Sequence, residues 1–447
     1  MDTHMRIFHW GWTQLLMLLM ATLPWTGAAQ ASDAAQVQGG GTKADRPRIA
    51  LVLSGGGAKG AAHIGVLKVL EEKRIPVDIV VGTSMGSYVA GMYAMGLSAE
   101  EVERMTLAID WNKGYQDKVG RDELSLRKKQ QSEKYQLRTD IGVNGDQTQL
   151  PDGFFQGQSM ASLLRHATSN LPAQKSFDDL PIPYRAMATD METVTPFVLD
   201  HGSLAKAMQA SMSIPGALKP VEWEGHILAD GGTVNNMPVD VAKAMGADVV
   251  IAVDIGAKLR TRESLKSGLA MIDQLTTYMT QVGTEKQKAL LGPKDVLLSP
   301  EFGDMGIADF ARMPEGIKQG EAVADRASAQ LDALSLSPDA YADYRNKKLS
   351  RRAERSGQPA YYIDKVEILN KSRLSDDTVR GMFKIRPDKV QTYESLEAGI
   401  RRLYALESFD RITYEVEERY GENVLVVDAS SKTPVPARRR WPFAAKR

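Results

Sequence analysis

The chain has 447 residues, 56 of them basic and 56 acidic, with no cysteine and an ordinary 43% hydrophobic fraction. That length allows two or three domains and at least one sizeable core. A formal charge of zero argues against a nucleic-acid or other polyanion surface over the whole molecule. Without cysteine there are no disulfides, thiolate nucleophiles, Cys-ligated metals or lipidated N-terminal cysteine.

Residues 1–31 read as a secretory signal. Arg6 supplies the positive end, Leu15 to Met20 with Ala21 to Leu23 the apolar stretch, and Ala29-Gln30-Ala31 a small-x-small cleavage site. The competing reading is an uncleaved anchor, but Trp10, Trp12, Thr13 and Gln14 leave the run short of the roughly 20 apolar residues a spanning helix needs. Export is the expectation, and residues 32–46 then form a Gly/Ala/Gln-rich linker.

Arg48 to Leu53 is an apolar strand ended by Ser54 and three glycines. Ala61 to Lys73 follows with helical spacing of Ile64, Leu67, Val69 and Leu70. Val77 to Val81 is the next strand and Ser87 to Met95 the next helix. Such alternation predicts a mainly parallel sheet covered by helices on both faces. Trp111 to Gln149 is charged and polar, an insertion over the sheet edge. Periodicity returns at Met160 to Leu164, Tyr184 to Thr189, Thr195 to Leu199 and Leu204 to Met212. His226 to Leu228 leads into Asp230, Ala247 to Val253 is a buried strand, and Gly256 to Ala333 reads as largely helical. A first domain therefore runs over 47–334. Residues 335–358, carrying Arg345, Lys347, Lys348, Arg351 and Arg352, are expected as a linker or solvated helix.

A small α+β module follows over 359–432, with the order strand, helix, helix, strand, strand. Its elements are Tyr361 to Leu369, Ser375 to Phe383, Tyr393 to Leu406, Arg411 to Glu417 and Asn423 to Ala429. Residues 433–447 form a basic tail. Its Arg438-Arg439-Arg440-Trp441 run reads as a disordered terminus, the start of a further domain, or a patch for anionic headgroups.

Two glycine-rich turns carry the chemistry. In Gly82-Thr83-Ser84-Met85-Gly86, an apolar strand ends in a serine with glycine two places either side. That is what a strained strand-to-helix elbow needs to present Oγ as a nucleophile. In Gly55-Gly56-Gly57-Ala58-Lys59-Gly60, successive glycines allow backbone N–H groups to converge at a helix N-terminus on a developing oxyanion. Gly55, Gly57 and Gly60 also satisfy G-x-G-x-x-G, but the acidic residue that would hold a ribose at the end of the second strand is replaced by the serine elbow.

Ser84 needs a base. The last histidine is His226, so no histidine follows Asp230 and the order Ser, acid, His is impossible with Asp230 as the acid. His63, His166, His201 and His226 each read more simply as packing or surface residues. The simpler arrangement is a Ser84–Asp230 dyad, in which partial desolvation raises the carboxylate pKa toward the working range.

The two turns, with Asp230-Gly231-Gly232, resemble the three motifs of patatin-like phospholipases. Ser211-Met212-Ser213-Ile214-Pro215-Gly216 and Val234-Asn235-Asn236-Met237-Pro238-Val239 resemble that family too. The resemblance covers about Arg48 to Ala333. It implies a three-layer α/β/α fold and serine esterase or phospholipase A activity, with Ser84 as nucleophile and Asp230 as base. The oxyanion hole falls on Gly55, Gly56, Gly57 and Lys59, with Gly82 and Gly86 shaping the elbow. Lys59 stands where an arginine is common. No cofactor or metal is implied.

The second module resembles a POTRA domain, closely so at Leu403-Tyr404-Ala405-Leu406-Glu407-Ser408-Phe409-Asp410. Patatin, POTRA and an outer-membrane barrel occur together in secreted relatives; no succession of barrel strands follows here. The expected setting is the periplasm, outer membrane or cell surface of a Gram-negative bacterium. The expected partners are a phospholipid or other lipid ester substrate and a membrane surface. A barrel or assembly machinery engaged by the POTRA-like module, and a homodimer, stay open. The alternative role is an envelope interaction or assembly protein acting mainly through that module.

Overall fold

The computed structural model describes residues 46–115, 142–144, 147–149, 155–256, 268–355, 360–372, 374–406 and 408–431, with positions 259, 262 and 265. The expected signal segment, the basic tail, nearly all of the 32–46 linker and most of the 111–149 insertion lie outside the described residues.

The central sheet is built from β1 (Ile49–Leu53) and β2 (Ile79–Thr83), then, beyond a small hairpin of β3 (Gly142–Asn144) and β4 (Gln147–Gln149), from β5 (Tyr184–Asp190), β6 (Thr195–Leu199), β7 (Val221–Trp223), β8 (His226–Asp230), β9 (Val249–Val253) and β10 (Val296–Leu298). The order is β10-β9-β1-β2-β5-β8-β7, with β6 also paired to β5. From β10 to β5 every pairing is parallel; β6, β7 and β8 run antiparallel to their neighbours.

Alternation along β1 explains the layers. Ile49, Leu51 and Leu53 pack into a large core with the helices Ala61–Glu72 and Met85–Ala94. Ala50 and Val52 point the other way, into a smaller core with Met237 and with Val239 and Ala242 of the helix Val239–Ala244. Because successive side chains leave opposite faces of a strand, a run apolar at every position has to be covered twice. The result is a three-layer α/β/α fold with a mainly parallel sheet.

Of the two readings of 335–358, linker or solvated helix, the structure has a helix, but one with a buried face. Pro338–Arg355 is a helix docked on the sheet's flank. The Tyr344 hydroxyl donates to the Val77 carbonyl at 2.8 Å and accepts the Val77 N–H at 3.1 Å. Lys348 Nζ lies 3.5 Å from the Tyr93 ring centroid and donates to the Leu97 carbonyl at 2.8 Å. Tyr341, Tyr344 and Lys348 fall at spacings of three and four, so one face of a charged helix is buried.

In the second module the expected first strand is two, β11 (Ala360–Ile363) and β12 (Lys365–Lys371), and an extra strand β13 (Lys389–Thr392) pairs with β11. β12 lies parallel to β15 (Glu422–Ser431), which is antiparallel to β14 (Phe409–Arg419). The helices Asp376–Phe383 and Tyr393–Tyr404 contribute Val379, Phe383, Leu396, Ile400 and Leu403 to a separate core with Ile412, Leu425 and Val427. The module contacts the first domain through a buried pair, Arg165 Nε to Glu397 Oε1 at 2.8 Å, and through the Ile412 N–H donating to Gln158 Oε1 at 2.8 Å.

Candidate active site

Register sets the level of the site. Thr83 pairs with Met187 of β5, and the next residue, Ala188, pairs with Asp230 of β8. Ser84 and Asp230 therefore leave the sheet at one height on either side of β5, and Ser84 Oγ donates to Asp230 Oδ2 at 2.7 Å.

The elbow is strained as the motif requires. Ser84 has φ 53 and ψ −126, a left-handed conformation that costs a non-glycine residue about 1–3 kcal/mol, and the helix Met85–Ala94 starts immediately after it. The flanking glycines are there for space. A methyl group on Gly82 would lie 2.4 Å from the Gly86 carbonyl oxygen, and one on Gly86 would lie 2.2 Å from that of Leu53. The backbone is then pinned: the Ser84 N–H donates to Ser211 Oγ at 2.9 Å, and the Ser84 carbonyl accepts from Ser87 Oγ at 2.7 Å. The role of Ser211 is visible only in three dimensions, although its segment is among those resembling the family.

Asp230 ends β8 with its other oxygen accepting the Gly232 N–H at 2.8 Å. It is 7% exposed, and burial raises its carboxyl to about 6 against the smaller opposing pull of the Ser84 and Gly232 hydrogen bonds. Among the described residues no cation offsets that burial. Tyr115 lies close enough for the Asp230 charge, after burial, to raise its phenol pKa. Tyr115 is a neighbour that the sequence reading missed, because it lies near the start of the stretch read as an insertion.

The glycine loop follows β1. Gly55 stands apart from its neighbours: its N–H is taken by Asn236, at 3.1 Å from Oδ1, and its carbonyl accepts from Asn236 Nδ2 at 3.3 Å. A methyl on Gly55 would sit 2.9 Å from Ser84 Cβ, so the loop and the elbow touch. The amides of Gly56 and Gly57 have no acceptor among the described residues, whereas the Ala58 N–H is held by the Ile307 carbonyl at 2.8 Å. Lys59 is buried, with Nζ 5.5 Å from the Phe302 ring centroid.

The histidines lie elsewhere. His63 is fully buried with Nε2 2.8 Å from the Ser54 carbonyl, and desolvation lowers it to about 4. His226 faces Asp190 at 2.8 Å, His201 sits between Asp200 and Glu224, and His166 tilts against Tyr393. Among the described residues no cluster of His, Asp and Glu could hold a metal ion.

The same residues match a known family model. Residues 51–243 match the model of the patatin-like phospholipase family. The patatin-like region is 37% identical over 215 residues to patatin-like phospholipase domain-containing protein 6 of Mus musculus, covering 48% of this chain and 14% of that protein. It is 28% identical over 287 residues to lysophospholipase NTE1 of Yarrowia lipolytica, covering 59% of this chain and 18% of that one. The chain thus spans less than a fifth of the length of either relative. The solved structure of VipD from Legionella pneumophila aligns with a TM-score of 0.35 and 16% identity, over 64% of this chain and 67% of that one.

Proposed function

We propose that the protein is a serine lipid acyl hydrolase, a phospholipase A or lysophospholipase, working through Ser84 and Asp230. The observation that carries this reading is the 2.7 Å hydrogen bond from Ser84 Oγ to a buried carboxylate that no cation among the described residues compensates. Asp230 removes the Ser84 proton as Oγ attacks the ester carbonyl. The oxyanion is met by the Gly56 and Gly57 amides, helped by the positive end of the helix beginning at Met85. Collapse expels the alcohol or lysolipid with the proton from Asp230, leaving acyl-Ser84. Water, deprotonated by the same carboxylate, then releases the fatty acid. Gly55 supports this hole through Asn236 rather than donating to it.

The expected export rests on the Arg6, Leu15 to Leu23 and Ala29-Gln30-Ala31 pattern. The POTRA-like reading of the second module is supported by its two helices between β12 and the β14–β15 hairpin, with β12 parallel to β15, although β11 and β13 add a strand pair that the reading did not include. Both belong to this proposal, and N-terminal mass determination on periplasmic material tests the first. For the activity, purified protein and its Ser84→Ala variant are assayed on p-nitrophenyl esters and phospholipids. Hydrolysis by the parent and none by the variant is expected. Equal rates would remove the assignment.

A further inference from the structure

The helix Gly268–Lys288 is inverted relative to an ordinary surface helix. Its polar and small side seats on the catalytic loop. Thr280 Oγ1 donates to the Gly232 carbonyl at 2.9 Å, two residues from Asp230, and Thr284 beside it is 4% exposed. A methyl on Gly283 would lie 3.4 Å from the Val234 carbonyl, and Gln287 Oε1 accepts the Asp240 N–H at 3.0 Å. The opposite side is apolar and faces solvent: Met271 55%, Leu275 64%, Tyr278 56%, Met279 46% and Val282 39% exposed. At about 100° per residue these five fall within an arc of about 100°, away from Thr280. Gln274 to Thr284 carries no charged residue, and the next exposed position on that arc is Lys286, with no ion-pair partner among the described residues.

We propose that this face docks the enzyme on a phospholipid bilayer, lying in the interface beside the mouth of the site. The inference rests on the lipid-hydrolase reading above and names the surface that brings that site to its substrate. A second copy of the chain is the poorer occupant. The stripe from Met271 to Val282 is about 17 Å long and about 10 Å wide, whereas a stable dimer buries about 800 Å² per partner. Five apolar side chains ringed by threonine and glutamine suit shallow insertion. Tyr278 fits the headgroup level, and Lys286 can extend to anionic phosphate. Continuity with the site gives the direction: the carbonyl that receives Thr280 belongs to Gly232, whose N–H holds Asp230.

The test uses full-length Ser84→Ala protein, which needs no turnover, with vesicles of phosphatidylethanolamine and phosphatidylglycerol in equal parts. Leu275→Gln with Met279→Gln in that background is expected to weaken co-sedimentation at least about tenfold, with the mass by light scattering unchanged. Soluble p-nitrophenyl butyrate hydrolysis by the same double variant with Ser84 intact checks its fold. Independently, Tyr278→Trp in the Ser84→Ala background is expected to shift its emission to the blue and lose quenching by acrylamide when vesicles are added. Undiminished co-sedimentation of the double variant, or no spectral shift, overturns the proposal. So does a parent dimer that the double variant breaks without change in vesicle binding. Failure of the hydrolase reading would look different: vesicle binding by a parent that hydrolyses no ester.

Discussion

Two carboxylates are buried in this molecule in opposite company. Asp230 sits in the crevice with a serine hydroxyl and one backbone N–H, and burial lifts its pKa to about 6. Glu397, in the second module, is 2% exposed but faces Arg165 and the Ser162 hydroxyl. Burial works against its charge as well, yet the Arg165 field and those hydrogen bonds outweigh it and hold the carboxyl below its ordinary range. On the reading proposed above, the same side-chain chemistry gives a base in one place and a clasp in the other. What decides is whether a cation shares the burial.

Exchanging or removing partners breaks that comparison in predictable directions. The largest effect is expected at the nucleophile. Ser84→Ala should lower kcat for ester hydrolysis by about 1,000-fold or more while the thermal midpoint stays within a few degrees. Asp230→Asn should cost on the order of 100-fold or more in kcat and leave the protein as stable or more so.

The sign of that stability change comes from the raised pKa. The folded state binds the Asp230 proton more tightly than the unfolded chain, so the ionised carboxylate costs stability above about pH 6. The cost declines as pH falls through about 6 and vanishes below the ordinary carboxylate value. At its full extent it is on the order of 3 kcal/mol, which denaturant melts of the parent and Asp230→Asn at pH 5 and 8 would read.

At Glu397 the pattern reverses. Glu397→Gln, or Arg165→Met alone, should lose about 3 kcal/mol in denaturant melts with little change on soluble esters, and the double replacement Arg165→Met with Glu397→Met should regain most of it. Smaller still, each of His63, His166, His201 and His226 replaced by Gln or Asn should keep hydrolysis within about tenfold of the parent, since losing a general base usually costs more. Smallest of all, Ser84→Gly should exceed Ser84→Ala in stability by about 1 kcal/mol, because only glycine takes φ 53 without strain.

Much of the site was legible because its glycines are steric requirements: Gly82 and Gly86 have no room for a methyl group. The pairing of Ser84 with Asp230 read as the simpler arrangement once no histidine follows Asp230, and the resemblance at Asp230-Gly231-Gly232 implied the same two residues. The commitment of the Gly55 amide to Asn236 was not legible, since an unpaired and a paired N–H look alike in sequence. Helix 338–355 read as a linker or solvated helix; the helix is there, but its charges hid the buried edge of Tyr341, Tyr344 and Lys348. Strand β10 is three residues long, too short to stand out from its helical surroundings. On the helix Gly268–Lys288 the apolar stripe is plain in the sequence, but a stripe of that spacing would ordinarily face a core. The contacts of Thr280 and Gln287 with the catalytic loop and the helix after it, and the exposure of Leu275 and Tyr278, show that it points outward.

The central claim, that a buried uncompensated carboxylate activates Ser84, is tested most directly by the rate of fluorophosphonate labelling against pH, with the adduct located by mass spectrometry. In the parent a single adduct on Ser84 is expected, its rate rising with pH about a midpoint near 6. In Asp230→Asn it should be slow and nearly flat. Labelling of Asp230→Asn at the parent rate, or a midpoint that disappears when a histidine is replaced instead, would contradict the account.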